Sequence, residues 1–324
     1  MRKRVLGFIV ALAAIAASLY GLELIGLSSA MLIATTSFTM TPLAFAAVGE
    51  CINEKAGIIN IGLEGILLIT SFAGVFGARR LENWAGGLGF GLLVGTLIGL
   101  LFGVICVYGL ADQIVAGMGI NILATGIIPY LLMAVYAFPG LHILPGELMV
   151  PRTYTPLGWV SPLTFVAIIA AVMTYVLLNK TLLGIRIRAA GEKPEALDVA
   201  GVRVDRMRIF TSAFGGALCG LGGAFMSLAW FGAITKGMVA GRGFIALAVV
   251  VCAGLNPLWA LATSFIFGFS EALASTVAIT PGVKEVIPHY FIYMIPYLLT
   301  LVVFAIAIAK RRFPQASGKP YVRE

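Results

Sequence analysis

Polar side chains that could bind a solute are concentrated in residues 49–65, which read GECINEKAGIINIGLEG and lie between apolar runs. Glu50, Glu54, Asn60 and Glu64 supply carboxylate and amide groups, which can hydrogen bond a polar molecule. Such groups are costly in a membrane and usually functional, and irregular backbone is tolerated there only when it is buried or lines a cavity. The glycines of this stretch let the chain turn. The pattern predicts a broken helix beside a substrate path.

Four polar residues within the apolar runs are the strongest candidates for a functional site: Asn60, Glu64, Asn121 and Glu271. The spacing of four between Asn60 and Glu64 predicts that both lie on one face of a helix. Asn121 follows Gly117 in what we expect to be a second loosened helix. One alternative stays open for all four, because an intramembrane Asn or Glu can simply bond one helix to another, at about 1 kcal/mol.

Motifs of catalysis and metal binding are absent from the sequence. It contains no nucleophile–base pair, HExxH or GxSxG, and no GxxxxGK[ST] loop that would hold ATP. His142 and His289 are isolated, and the four cysteines have neither a CxxC spacing nor a neighbouring histidine cluster. We therefore expect no enzyme activity, no catalytic residue, no metal, no cofactor and no nucleic-acid partner.

The composition is typical of a polytopic membrane protein, with 60% hydrophobic residues and 11% charged residues. Ten candidate spans lie at about 5–20, 29–49, 58–77, 87–110, 114–138, 161–178, 207–232, 243–255, 258–279 and 291–309. The prediction is an all-α transmembrane helix bundle of about ten spans, in which residues 1–324 form one domain surrounded by lipid. The eighth span is too short to cross a core of ~30 Å and is predicted to be a short or re-entrant helix.

Basic residues set the expected orientation. With both termini in the cytoplasm, most of the 22 Lys and Arg fall in cytoplasmic segments, as the positive-inside rule requires. Basic residues 2–4 precede an apolar stretch that resembles a signal peptide. An uncleaved first span is the alternative, and it is the one we favour.

Two loops are expected to be ordered. Residues 139–160 are rich in proline and form a semi-rigid external loop, which either meets a partner or only connects two spans. In the cytoplasmic loop at about 183–205, Pro194 suits the first turn of a helix and Gly201 its end, which predicts a short helix at about 194–200. Asp205 is a candidate N-cap of the next span. We interpret the short helix as a docking element for a cytoplasmic partner, although a plain connector would also fit.

Glycines repeat at a spacing of four along one predicted helix, at Gly91, Gly95, Gly99 and Gly103. They make a flat face on which another helix can pack closely. Gly216 and Gly220 repeat the pattern more weakly. Packing within the bundle is the simpler explanation, and an interface between subunits is the alternative.

At the polar stretch the chain resembles permeases of ABC importers for nucleosides, within a wider group that handles simple sugars and branched-chain amino acids. Residues 49–65 look like the signature of these nucleoside permeases, and residues 188–201 are similar to the family's cytoplasmic coupling loop. Residues 241–248 and 120–124 match two further blocks. The resemblance covers nearly the whole chain and retains the first span.

The resemblance implies a permease subunit in the cell membrane that forms the substrate pathway. It implies as partners a cytoplasmic ABC ATPase that binds ATP, a second and paralogous permease, and an external substrate-binding lipoprotein. Expected pathway residues are Asn60, Glu64, Asn121 and Phe244. Residues expected to couple to the ATPase are Gly191, Pro194, Glu195, Ala200 and Gly201.

Two alternatives to a nucleoside importer stay open. One is an ABC permease for a sugar. The other is an ion- or proton-coupled secondary transporter working alone, in which Glu64 and Glu271 would relay protons. An ordered docking helix in the 183–205 loop favours the importer, because a lone transporter does not need one.

Overall fold

The computed structural model describes residues 29–138, 140–155, 158–279, 294, 298 and 313–322. Within them the chain forms ten α-helices, a 3₁₀ turn at Gly146–Leu148, a π-helical turn at Met226–Trp230 and four short strands. The helices are α1 Ser29–Lys55, α2 Leu63–Arg80, α3 Trp84–Val107, α4 Gln113–Tyr136, α5 Pro162–Lys180, α6 Leu182–Glu192, α7 Pro194–Val199, α8 Val204–Phe225, α9 Arg242–Ala253 and α10 Pro257–Ile279. The strands are β1 Leu141–Ile143, β2 Thr153–Thr155, β3 Gly158–Val160 and β4 Ala233–Thr235.

Six of the described helices are long and apolar enough to cross a membrane: α1, α3, α4, α5, α10, and α8 with the π-helical turn Met226–Trp230 that continues it. The chain is therefore an all-α membrane protein that crosses the bilayer several times. Helix α9 has 12 residues and so is shorter than a bilayer core, as predicted for the eighth span. The predicted spans at about 5–20 and 291–309 lie outside the described residues.

Helix α1 lies at the centre of the bundle. In its most apolar stretch 78% of the residues are buried, against 22% in α4, which presents most of its surface outward. Threonine hydroxyls of α1 bond to carbonyls one turn earlier, which satisfies them without water. Thr39 also donates to the carbonyl of Gly268 in α10 at 2.7 Å. The centre is thus held by packing and by hydrogen bonds between helices.

The glycine repeat packs α3 against α8, inside the bundle. A Cβ added at Gly95 would meet the carbonyl oxygen of Gly216, and one at Gly99 would meet the carbonyl oxygen of Ser212. The Ser212 hydroxyl donates to the carbonyl of Gly99 at 2.6 Å. The backbones are in contact because these positions carry no side chain. The prediction of packing within the bundle is confirmed.

The 139–160 loop contains short regular structure. Strand β1 pairs antiparallel with β4, which follows α8, and β2 pairs antiparallel with β3. The Tyr136 ring stacks on His142 with ring centroids 3.7 Å apart. These contacts hold the loop against the ends of α4 and α8. They fit the predicted semi-rigid loop.

The 183–205 loop is ordered, and it contains the predicted short helix. Pro194 occupies the first position of α7, and Gly201 follows its end with φ of +80°. The N-cap of α8 is Arg203, without a side-chain cap bond. The prediction that Asp205 caps α8 was wrong, because Asp205 already lies in the first helical turn, where its charge favours the helix dipole instead.

Candidate functional site

The predicted break is present between α1 and α2, but it is confined to residues 56–62. Helix α1 continues through the first part of the polar stretch to Lys55. Gly57, two residues after the last helical residue, has a left-handed φ of +88°. The amides of Gly57 and Ile58 donate to the carbonyls of Glu54 and Asn53 at 3.1 and 3.0 Å, a Schellman ending. The helix therefore ends later than expected, at Lys55, and Gly57 supplies the left-handed residue that follows its end.

Buried side chains satisfy the backbone donors of the 56–62 break. The Glu50 carboxylate accepts from the amide of Asn60 at 2.6 Å, and the Gln113 side-chain oxygen accepts from the amide of Ile59 at 2.7 Å. Glu50 and Gln113 are 0% and 4% exposed. An unpaired backbone amide in this setting would be costly. Glu50 and Gln113 thus hold the irregular backbone in place, and sequence reasoning had given neither this role.

Asn60 lies in the break itself and is fully buried. Its side-chain oxygen accepts from the amide of Gly62 at 2.8 Å. Its Nδ2 group is buried and has no hydrogen-bond partner among the described residues. The prediction that Asn60 and Glu64 share a helical face was wrong, because α2 begins only at Leu63 and Asn60 precedes it.

Asn121 connects α4 to the break by two hydrogen bonds. Its side-chain oxygen accepts from the amide of Gly65 at 2.8 Å, and its Nδ2 donates to the carbonyl of Ile61 at 3.0 Å. Helix α4 is continuous here, so the predicted loosening at Gly117 was wrong. Gly117 has another function: a Cβ there would lie 2.8 Å from the amide nitrogen of Gly62, so the glycine allows the two backbones to meet.

Glu64 holds the N-terminal end of α9. Its two carboxylate oxygens accept from the amides of Gly241 and Gly243, each at 2.7 Å. A carboxylate at this end of a helix also complements the helix dipole. A Cβ at Gly243 would collide with the backbone of Glu64. Glycine at that position therefore lets α9 approach α2 closely enough for both bonds to form.

Arg242 is a residue whose role sequence reasoning missed. Its guanidinium pairs with the Glu271 carboxylate of α10 and lies 4.6 Å from the centre of the Trp230 ring. It also donates to the carbonyls of Met238 and Val239 at 2.9 and 3.0 Å. The available signal was a single arginine and a single glutamate in neighbouring apolar runs, since intramembrane charges usually pair.

The structure brings three of the four predicted pathway residues to one place. Asn60, Asn121 and Glu64 all bond to the backbone at the break and the start of α2 or α9, whereas Phe244 is 46% exposed on the first turn of α9. Over the part of the chain that the structure describes, no group of three or more His, Cys, Asp or Glu side chains could hold a metal ion. Among these three side chains, the Asn60 Nδ2 group is the one that has no hydrogen-bond partner among the described residues.

The predicted coupling residues divide into a packed part and an exposed part. A Cβ at Gly191 would collide with the carbonyl of Lys55, so α6 touches the end of α1 directly. Glu195 and Ala200 are exposed. Val199, which sequence reasoning did not select, is 91% exposed at the end of α7. Single exposed apolar residues are common on protein surfaces, so Val199 by itself does not mark a contact surface.

Comparison with known families assigns the chain to a class. The family described as branched-chain amino acid transport system / permease component matches residues 32–304. The chain belongs to this permease family and is a transport protein of the membrane rather than an enzyme.

Three relatives align over nearly the full chain. The nucleoside ABC transporter permease protein NupC of Lactococcus lactis subsp. cremoris is 33% identical, over 90% of this chain and 97% of its own. The guanosine ABC transporter permease protein NupQ of Bacillus subtilis is 30% identical, with the same coverage. The putative glucose ABC transporter permease protein TsgC13 of Haloferax volcanii is 28% identical, over 91% of this chain and 98% of its own.

Proposed function

We propose that this chain is the permease subunit of an ABC importer that carries nucleosides across the cell membrane. The proposal rests on sequence similarity. Two relatives named for nucleoside or guanosine transport are 33% and 30% identical to this chain over nearly their full length. The relative named for glucose is less similar, at 28% identity, and an ABC permease for sugars is therefore the alternative.

The 56–62 break and the helix ends around it border the pathway in this proposal. The Asn60 Nδ2 group is a buried donor with a free bonding position among the described residues, and a nucleoside offers hydroxyls and base acceptors to such a donor. The exposed Phe244 ring offers a face on which a base can stack. Asn121 and Glu64 support these groups, because their own polar atoms bond to backbone.

The same proposal assigns partners and orientation. The whole chain acts as one transmembrane domain with both termini in the cytoplasm. A cytoplasmic ABC ATPase binds ATP and docks on α7, a second and paralogous permease completes the pathway, and an external lipoprotein delivers the substrate. The pairing of Glu271 with Arg242 argues against the proton-relay alternative, since a carboxylate held by a guanidinium is poorly placed to pass protons.

Uptake by the reconstituted complex tests the substrate and the energy source together. Guanosine or adenosine uptake into proteoliposomes should require ATP and the ATPase, and a protonophore should leave it unchanged. An excess of a second nucleoside should compete, whereas ribose, glucose and leucine should not. A path that contacts both base and sugar binds a nucleoside more tightly than a solute that offers only one of them. Full competition by a sugar, without competition by nucleosides, would favour the sugar permease.

Charge reversal on α7 tests the docking role. Glu195→Lys, or glycine at both Ala196 and Ala200, should lower uptake by about tenfold or more. The first change inverts an exposed charge, and the second weakens the short helix at Ala196 and loosens its exposed end at Ala200. Copurification of the ATPase and ATP hydrolysis would be measured with uptake. Glu147→Lys, an exposed reversal in the 139–160 loop, serves as the matched control. Normal uptake and normal ATPase binding in the α7 variants would contradict docking at α7.

A further inference from the structure

Residues 313–322 lie between the 56–62 break and the α6–α7 pair. The amide of Gly318 donates to the carbonyl of Gly57 at 3.1 Å, and the amide of Ala316 donates to the carbonyl of Gly191 at 2.9 Å. Pro314 is buried in the same segment. The segment therefore contacts the ending of α1 and the ending of α6 at once.

Arg208 of α8 joins the same three parts of the chain. The residue is 3% exposed. Its guanidinium donates to the carbonyls of Ala56, Ala190, Ala316 and Lys319, at 3.3, 3.4, 3.4 and 2.9 Å. In the part of the chain that the structure describes, no carboxylate forms an ion pair with it. A buried cation is costly unless it is well bonded, so these carbonyls must stay in place together.

The far end of the segment contacts α7. The Tyr321 hydroxyl lies 3.2 Å from a carboxylate oxygen of Asp198. The Tyr321 ring packs on a small buried cluster that α6, α7 and α8 share, formed by Ala190, Leu197 and Val204. Segment 313–322 thus contacts the break at Gly318 and α7 at Tyr321.

These contacts leave little room for independent movement. A Cβ at Gly57 would lie 2.9 Å from the Arg208 guanidinium and 3.2 Å from the Ala316 carbonyl oxygen. A Cβ at Gly191 would lie 3.0 Å from the Gly57 amide nitrogen. Closely packed backbone transmits displacement instead of absorbing it. A shift of α6 and α7 would therefore reach the break through these residues.

We propose that residues 313–322, with Arg208 as the positioning residue, transmit movement between α7 and the 56–62 break. The inference rests on the proposed function, in which α7 meets the ATPase and the break borders the substrate pathway. ATP-driven displacement of α7 pulls on Asp198, Tyr321 and the segment, and reaches the break through Gly318 and Arg208. The segment is then a part of the transport machinery.

Two variants test this inference in the assembled complex. Gly318→Pro removes the amide that donates to Gly57 and forbids the φ of +74° at this position. Ending the chain after residue 312 removes the segment. Each should lower the amount of nucleoside moved per ATP hydrolysed by about tenfold, while the ATPase still copurifies. Gln315→Ala, an exposed change in the same segment, should keep the wild-type ratio.

Hydrogen exchange supplies a readout that needs no substrate. Amides of the break should change their exchange when ATP binds the wild-type complex, and Gly318→Pro should abolish that ATP-dependent difference. A purely structural role would instead raise exchange equally with and without ATP. The inference would be overturned by such an equal rise in exchange, or by a transport ratio within about twofold of wild type. Loss of ATPase binding in both variants would overturn it as well. A wild-type complex that moves no nucleoside but keeps the exchange difference would overturn only the proposed substrate.

Discussion

Replacing Glu64 with alanine should abolish most uptake by the assembled transporter and destabilise it measurably. The two carboxylate oxygens hold the amides of Gly241 and Gly243 at 2.7 Å each. Hydrogen bonds to a charged group contribute about 1.5–3 kcal/mol each, so losing both removes about 3 kcal/mol or more. The end of α9 would then separate from α2 and carry Phe244 with it. Since 1.4 kcal/mol is a factor of about ten, uptake should fall at least tenfold.

Conservative variants separate the contribution of the charge from that of the geometry. Glu64→Gln keeps one accepting oxygen and presents its amide group to the other backbone N–H, so it should retain partial stability and partial uptake. Glu82→Gln, an exposed change just after the same helix, is the matched control. Thermal unfolding of the purified complex and initial uptake rates would be measured for each. Wild-type stability in Glu64→Ala would show that α9 is held by other contacts.

Local sequence signals predicted the helices and their packing where the physical cause is local. Apolar runs predicted the six helices that are long and apolar enough to cross a membrane, because length and hydropathy are properties of each segment alone. The predicted total of about ten spans stays a prediction. The glycine repeat of α3 predicted close packing, and α8 supplies the matching glycines. Pro194 and Gly201 predicted the bounds of α7 to within a residue, because one fits the start of a helix and the other its end.

The site could be predicted as a region but not as a set of bonds. The polar stretch marked the break, yet its extent depends on the Schellman ending at Gly57 and on the side-chain oxygen of Gln113, which accepts from the amide of Ile59. Glu64 was expected to line the path, and its partners lie 177 and 179 residues away in the chain. Its placement in the pathway stays a prediction. The bonding shows a supporting role that no spacing within α2 could have indicated.

Contacts made through backbone atoms can hardly be predicted from a single sequence. Residues 313–322 bond to Gly57 and Gly191 mainly through amides and carbonyls, which every residue type carries. Arg208 was counted only as one of the basic residues that fix orientation. Its role depends on four carbonyls from three separate parts of the chain. Tertiary structure alone brings them together.

Removing one partner of the Arg242–Glu271 pair should have the largest effect on stability. The two side chains are only 12% and 17% exposed, so a single change leaves a buried charge without its counter-charge. Breaking such a pair costs about 3–5 kcal/mol. Glu271→Leu should therefore lower the unfolding free energy of the purified complex by about that amount. Arg242→Met should cost as much or more, because it also removes the donors to Met238 and Val239.

The double variant Arg242→Met/Glu271→Leu separates the ion pair from its surroundings. Replacing both charges with apolar side chains leaves neither one unpaired, so the double variant should be more stable than the sum of the single losses predicts, by about 2 kcal/mol or more. Arg242→Lys keeps the charge but not the planar fork, and should fall between wild type and Arg242→Met. Unfolding of all four variants in one detergent provides the comparison. Additive losses would mean that the pair contributes no coupling, and that Trp230 and the carbonyls hold Arg242 by themselves.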